Sequence, residues 1–480
     1  MAPPSAERSF RVLAVDFGTT RCKASVVRGD GRVLALHAAE NSLRKRSEGV
    51  YEQDAEEFGR SLTSCVRNVL GASGGKVDIA VVTGQGSAPV CLDGAGKPAA
   101  PLISHLDARA DPQRKLMTEA LGPMGYVPAK LFPNLLWLKE NEKKRFERVR
   151  SVLDVREYIG YLLTGVRSFD RRGLRKADIE KMCRFVGLDA DAFGEEHNYA
   201  VPIGNTSSLA ARRLGIGKGV PVLQAPGDTV CAAIGSGISG RGFVCDVTGS
   251  TEVVAALVPS DTKVSASSLF LIPHLEEGKA FLFMSPPLGF VFKWFVETFY
   301  DGASKSKRYS LVDRDVSSVE VSELNPVFVP SIRTVGYSYR IESHLLGLGV
   351  SHTRAHLARS VMEGLAMRVR MALDGVRANG LPVGRVRLSG GGANSEVWNQ
   401  LRTDVFGVET ELIQTLETSS LGAAMVAAVS AGRYGDVLEA EQKMVHATRL
   451  YRPRAPMASI HDSIYASFVG EMKAISESGI

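Results

Sequence analysis

Two stretches far apart in this chain follow one plan, and that repetition limits the folds open to it. "VLAVDFGTTRCKASVV", Val12 to Val27, is an apolar run, a glycine with hydroxyls, and a returning apolar run. "GFVCDVTGSTEVVAALV", Gly242 to Val258, repeats the theme. Each reads as a β-hairpin, yet a bare hairpin turn needs little more than Asn-Gly or Asp-Gly. In the first copy Asp16 precedes Gly18, Thr19 and Thr20, with Lys23 just beyond; in the second the turn is Gly249, Ser250 and Thr251. Matches this short arise by chance, so the surroundings carry the weight.

After the first hairpin, "RVLALHA" reads as a third antiparallel strand. Phe58, Leu62, Cys65, Val66 and Val69 then share one helical face. Asp54 and Glu57 suggest a capping box at that helix's start, and Gly71 its end. "VDIAVVTGQG" follows as a buried strand running into a glycine loop. Three strands, a helix and a strand fit a mixed α/β layer fold better than a parallel βαβ chain. Near residue 220 the pattern restarts. "VPVLQAPGDTVCAAIGSG" is a strand, a turn and a small-residue helix, followed by the second hairpin. "RVRLSGGGANSEVWNQLRTDVFG" is a strand, a triple-glycine turn and a helix opened by Asn394 or Ser395, and "TSSLGAAMVAAVSAG" a further helix. The reading is two similar domains, 1–240 and 241–480, divided within "GSGISGRG".

The length agrees: 480 residues exceed the roughly 250–300 at which single cores stop growing. A net charge of +6 permits an anionic ligand without demanding nucleic acid. "RRGLRK" and "KENEKKRFERVR" read as solvated surface. No apolar run approaches the roughly 20 residues of a membrane span, and "MAPPSAERSF" lacks a signal core. The six cysteines are scattered without C-x-x-C spacing, which argues against zinc or disulfides and leads us to expect a cytoplasmic protein.

The turns are where chemistry is expected. Backbone N–H groups at a glycine turn can approach phosphate oxygens, and hydroxyls add donors. Asp16 repels phosphate but can hold a hydrated Mg²⁺ that bridges to it, and Lys23 adds positive charge. A second glycine-hydroxyl turn, Gly249-Ser250-Thr251, offers a second grip on a polyphosphate. Asp228 lies at a strand-to-helix junction, either as an N-cap or as a base that takes the proton of a hydroxyl attacking phosphorus. Gly391 and Gly392 let a flat base or ribose lie against backbone, while Asn394 caps a helix or bonds the nucleotide. Neither a G-x-x-x-x-G-K-[ST] loop nor a G-x-G-x-x-G after a strand occurs.

Taken together, "DFGTTRCK", "APGDTVCAAIGSG", "VTGSTEVV" and "LSGGGANSEVWNQLRTD", in that order, resemble the FGGY family of carbohydrate kinases, of the actin-like ATPase superfamily. The resemblance runs from about Val12 to Pro453 and implies two ribonuclease H-like α/β domains with an interdomain cleft for sugar and MgATP. It implies that Asp228 is the general base, that Asp16 is the carboxylate near Mg²⁺, and that Gly18, Thr19, Thr20 and Lys23 form the first phosphate loop. Gly249, Ser250 and Thr251 match the second loop; Gly391, Gly392 and Asn394 match the adenosine contacts. Gln85, Asp107 and Arg109 match positions that bind sugar hydroxyls. Thr229, Ser250, Gly86-Ser87 and "SFDRRGLRKADIEK" depart from the family's pattern. The expected activity is ATP-dependent phosphorylation of a sugar such as a pentulose, with a polyol kinase or a catalytically weak ATP-binding regulator as rivals. No nucleic-acid or membrane partner is expected, and a homodimer is compatible with the chain.

Overall fold

The computed structural model describes residues 9–47, 49–124, 126–170, 175–249, 251–264, 269–335 and 338–478. The chain forms two compact units. The first holds residues up to Gly235 together with Ser419–Met444; the second holds Ser236–Val335, Tyr339–Thr418 and the chain from Val445 on.

In the first unit, β1 (Arg11–Phe17), β2 (Arg21–Arg28) and β3 (Val33–Glu40) form the antiparallel meander read from the sequence. Helix α1 (Ala55–Ser73) packs Phe58, Leu62, Cys65, Val66 and Val69 against it. Each such aliphatic or aromatic side chain contributes about 1.5–3 kcal/mol on burial. The helix does not stop at Gly71. It runs on to Ser73 and ends where Gly74 takes the left-handed conformation. Nor does the capping box close: Asp54 accepts from Glu56 N at 2.9 Å, but the Glu57 carboxylate turns away to Arg44 at 2.6 Å. Strand β4 (Ile79–Gly84) pairs parallel with β1. After an inserted lobe come α2 (Val155–Thr164), β5 (Gly204–Asn205), β6 (Pro221–Gln224) and α3 (Asp228–Gly235). The sheet order is β5-β6-β4-β1-β2-β3. The lobe also takes in residues beyond α2, and in its core Phe132 from before that helix meets Phe193, which packs on Phe169, from after it.

The second unit uses β7 (Phe243–Thr248), β8 (Glu252–Pro259), β9 (Phe270–Pro273), β10 (Lys279–Met284), α4 (Arg354–Ala378), β11 (Arg385–Gly390), α5 (Glu396–Phe406), β12 (Glu409–Ile413), α6 (Thr418–Ser430) and β13 (Ala447–Tyr451). Helix α6 is counted with the first unit from Ser419 on. Read from the far edge, the order is β13-β12-β11-β7-β8-β10-β9. With β7 set on β1, each strand of the first sheet has a counterpart in place and direction: β8 on β2, β10 on β3, β11 on β4, β12 on β6 and β13 on β5, with β9 an added edge strand of the second sheet.

The equivalence reaches single residues. Phe17 stands opposite Gly84 across the parallel pair, and Thr248 stands opposite Gly390. Both glycines have positive φ, +147° and +76°, and a Cβ on either would collide with the carbonyl it faces. Only glycine combines that dihedral with so close an approach. The six cysteines are buried and free, and among the described residues no helix is long and apolar enough to cross a membrane.

Candidate active site

The first loop leaves β1 after Phe17 and re-enters at Arg21. Gly18 N donates to Arg21 O at 2.9 Å and closes the turn. Asn41 holds it from β3's end, with N donating to Thr20 O and Nδ2 to Gly18 O, each at 2.9 Å. Gln53 Nε2 donates to Thr19 O at 2.8 Å. Gln85 joins this ring: its Oε1 accepts from Thr19 Oγ1 at 2.7 Å and its Nε2 donates to Gln53 Oε1 at 3.1 Å. The Gln85 amide is therefore committed to the loop. Asn41 and Gln53 were missed by sequence reasoning, because a single polar residue at a strand end looks like surface; only their burial gives them away.

Asp16 is the penultimate residue of β1, just below that turn, largely buried, with Lys23 across the hairpin and Thr83 across the parallel pair. Among the described residues no cluster of three or more His, Cys, Asp or Glu could cage a metal. Mg²⁺ does not need one: it keeps most of its waters and is held through one or two carboxylates plus substrate phosphates. A hard carboxylate below a hydroxyl-bearing turn fits that mode.

Asp228 opens α3, in a turn fastened by three hydrogen bonds to two elements, β4 and α2. Ala225 N donates to Val82 O at 2.8 Å, Thr83 Oγ1 to Pro226 O at 2.6 Å, and Arg156 Nη1 to Ala225 O at 3.0 Å. Burial pulls Arg156 down, but Asp170, Tyr199, Asp154 and Glu157 outweigh it and hold its pKa above the usual value. It is a permanent cation behind the Asp228 turn. Asp228 Oδ1 accepts from Thr229 N at 2.7 Å and Thr229 Oγ1 at 3.3 Å; Oδ2 has no partner among the described residues. Thr229 thus orients the carboxylate on which the sequence reading centred.

Asp107 and Arg109 lie in the inserted lobe and are committed to each other. Asp107 accepts from Tyr51 N at 2.7 Å, Arg109 N at 2.8 Å and the Arg109 guanidinium at 2.8–3.0 Å. Arg109 also donates to Glu52 at 2.8 Å and lies 4.8 Å over the Trp137 ring. Beneath this loop, Lys130 Nζ donates to His105 O at 2.8 Å. Burial first, then the Arg114 charge, push the Lys130 pKa down to about 8, and burial takes His105 down to about 4.

In the second unit, Gly249 N donates to Thr251 O at 3.1 Å, the counterpart of the Gly18 turn. Ser250 lies outside the described residues. Beyond β11, Gly391–Asn394 form a single 3₁₀ turn. Asn394 Nδ2 donates back to Gly391 O at 3.0 Å, and it is Ser395 that caps α5, accepting from Trp398 N at 3.0 Å. Gly391 is exposed, with open backbone against which a planar ligand can lie. Beside the turn is an open depression of about 300 Å³ lined by Asn394, Gln414, Thr415 and Tyr451, among others.

Residues 11–235 match the N-terminal domain of the FGGY family of carbohydrate kinases, and residues 287–431 match its C-terminal domain. The chain is 23% identical to the xylulose kinase of Bacillus subtilis, covering 95% of each chain. It is 24% identical to the L-xylulose/3-keto-L-gulonate kinase of Escherichia coli, again over 95% of each. Its fold is that of the Rhodospirillum rubrum xylulose kinase (TM-score 0.80, 22% identity, 97% and 99% of the two chains). It is likewise that of the Plasmodium falciparum glycerol kinase solved with ADP (TM-score 0.75, 16% identity, 96% and 98%). The chain belongs to the FGGY family of carbohydrate kinases, phosphotransferases that use ATP and Mg²⁺ and take a sugar hydroxyl as acceptor.

Proposed function

We propose that the chain transfers the terminal phosphoryl group of ATP to a primary hydroxyl of a ketose of the pentulose class. One observation carries the catalytic part: Asp228 Oδ2 is unengaged while Oδ1 and the whole turn are fastened. A carboxylate held in that way can take a proton without moving. As the sugar oxygen bonds to the γ-phosphorus, the bond to the β–γ bridging oxygen breaks, ADP leaves, and the hydroxyl proton passes to Asp228 Oδ2.

Asp16 would hold Mg²⁺, and the ion would supply positive charge beside the phosphates. Gly18, Thr19, Thr20 and Lys23 face the transferred group, with Thr19 fixed by Gln85 and Gln53. Gly249, Thr251, Gly391, Gly392 and Asn394 hold the nucleotide; Ser250 joins them by sequence alone. Asp107 and Arg109, locked together, shape the sugar side. The relatives' names support the pentulose class.

The test is an ATP-consumption screen across ketoses, aldoses and polyols, with mass detection of the phosphorylated product. A pentulose should be preferred by about tenfold or more in kcat/KM. Preference for a polyol would overturn the substrate assignment, and ATP binding with no phosphorylated product in any class would overturn the transfer itself. Calorimetry with and without Mg²⁺ tests Asp16: Asp16→Ala should abolish the metal's contribution to ATP affinity, and unchanged metal dependence would remove Asp16 from its role.

A further inference from the structure

Arg402, on α5, is one of the largest side chains in the molecule with essentially no exposure, and the activity as derived so far does not use it. Its Nη1 donates to Thr248 Oγ1 at 2.7 Å and to Asp246 Oδ2 at 3.1 Å. Its Nη2 donates to Asn399 Oδ1 at 2.8 Å, and Asn399 Nδ2 in turn donates to Ala393 O at 2.9 Å. One guanidinium therefore reaches both nucleotide segments. Through Thr248 it holds the residue from which Gly249 departs; through Asn399 it holds the turn that follows Gly390. Thr248 passes the chain on, donating from Oγ1 to Glu252 Oε1 at 2.8 Å, where β8 begins.

The charges balance without solvent. Burial, then the facing Asp246 charge, push the Glu252 pKa well above the usual carboxylate range, against the pull of Arg402. Arg402 and Asp246 offset each other's charge, and the raised pKa of Glu252 favours its neutral form beside them.

The first unit shows that the scaffold does not require this network. At the positions matching Asp246, Thr248 and Glu252 it carries Val15, Phe17 and Cys22, all fully buried. The same strand crossing is thus built from apolar side chains. A buried ion pair seldom adds stability over such packing, because desolvation offsets the Coulomb gain. The network occurs in the unit that carries the triple-glycine turn. We infer that Arg402 is a positioning residue, which fixes Thr248 and the Ala393 turn together so that Gly249–Thr251 and Gly391–Asn394 meet the nucleotide as one preformed surface. The inference rests on reading those two segments as the nucleotide site.

The experiment measures ATP and sugar KM, kcat, calorimetric ATP affinity and Tm for Arg402→Met, Arg402→Lys and Thr248→Val. Arg402→Met keeps volume and removes the charge; Thr248→Val removes one hydroxyl and leaves the ion pair, so it decides the matter should the first variant not fold. Arg402→Met should raise ATP KM and Kd about tenfold or more, with the sugar KM within about twofold, and Arg402→Lys should recover part of the loss. Thr248→Val should move ATP affinity the same way, by about threefold or more. A purely structural arginine predicts a lowered Tm with ATP constants unchanged in folded protein, and that result overturns the inference. Gly391→Val separates the two claims, since Gly391 is exposed and a Cβ there meets nothing nearer than Thr248 O at 3.8 Å, an ordinary contact that leaves Arg402 and its partners in place. If Gly391→Val leaves ATP binding intact, the nucleotide-site reading falls. If it weakens binding while folded Arg402→Met and Thr248→Val do not, only the role of Arg402 falls.

Discussion

In the first half of the molecule β4 ends at Gly84, and the chain passes through residues 85–154 before α2 begins. In the second half β11 ends at Gly390 and α5 begins at Glu396. The strands on either side correspond one to one, so the difference lies in what hangs from the same joint. One joint opens into a lobe that carries Asp107 and Arg109 and shares an aromatic core with the chain beyond α2. The other is closed by three glycines and braced from below by Arg402. A second contrast sits at the next joint. Asp228 is the first residue of α3, whereas Thr418 is the first residue of α6, fully buried with its Oγ1 3.2 Å from Ser389 Oγ. A duplicated scaffold supplies the geometry, and under the function proposed above residues at corresponding joints assign proton chemistry to one half and nucleotide binding to the other.

The comparison breaks first at its glycines. Gly84→Ala and Gly390→Ala should each cost several kcal/mol, from strained dihedrals and a collision with backbone, and expression with circular dichroism should report loss of folded protein in both. If one is tolerated, the two joints are not equivalent. The next effect is on rate. Asp228→Asn should lower kcat by about 10²–10⁴, roughly 3–5 kcal/mol of barrier, while Thr418→Val at the matching position should stay within a few-fold. A change of only a few-fold in Asp228→Asn as well would mean that Asp228 merely starts its helix, since asparagine caps about as well as aspartate.

The smallest effect sharpens the contrast at the lobe. Lys130 has a folded-state pKa lowered to about 8, so between there and its unfolded value near 10.5 the unfolded chain binds more protons. Stability from this residue therefore rises with pH across that window, by up to about 3 kcal/mol. Urea unfolding at several pH values should show the slope in the wild type and a flatter line in Lys130→Met. Identical slopes would remove Lys130 as the source.

Much of the scaffold was legible in the chain, because β1, β2, β4, β7 and β8 are apolar runs bounded by glycine turns and need no distant information. Helix α1 was legible in its face but not in its end: an amphipathic helix passes through Gly71, and only the left-handed dihedral at Gly74 stops it. The site residues were legible as motifs and less so as contacts. Gln85, Asp107 and Arg109 are polar residues of the kind that bind sugars, yet their partners Thr19, Gln53, Tyr51 and Glu52 are remote in sequence. Arg402 was not legible at all. An arginine in "NQLRTD" looks like an exposed helix position until the fold brings Asp246 to it from 156 residues away.

The compact unit built on β1–β6 does not end where its first run of chain does. Ser419–Met444 belong to it, with Tyr434 Oη donating to Gly29 O at 2.5 Å and Ser430 Oγ to Ala200 O at 2.8 Å. A gene cut at residue 240 would consequently yield an amino-terminal product missing part of its own wall, and a carboxy-terminal product carrying that wall with nothing to lean on. Expressing the halves as separate polypeptides calls for a third piece, or for a permuted chain that returns Ser419–Met444 to the body it completes.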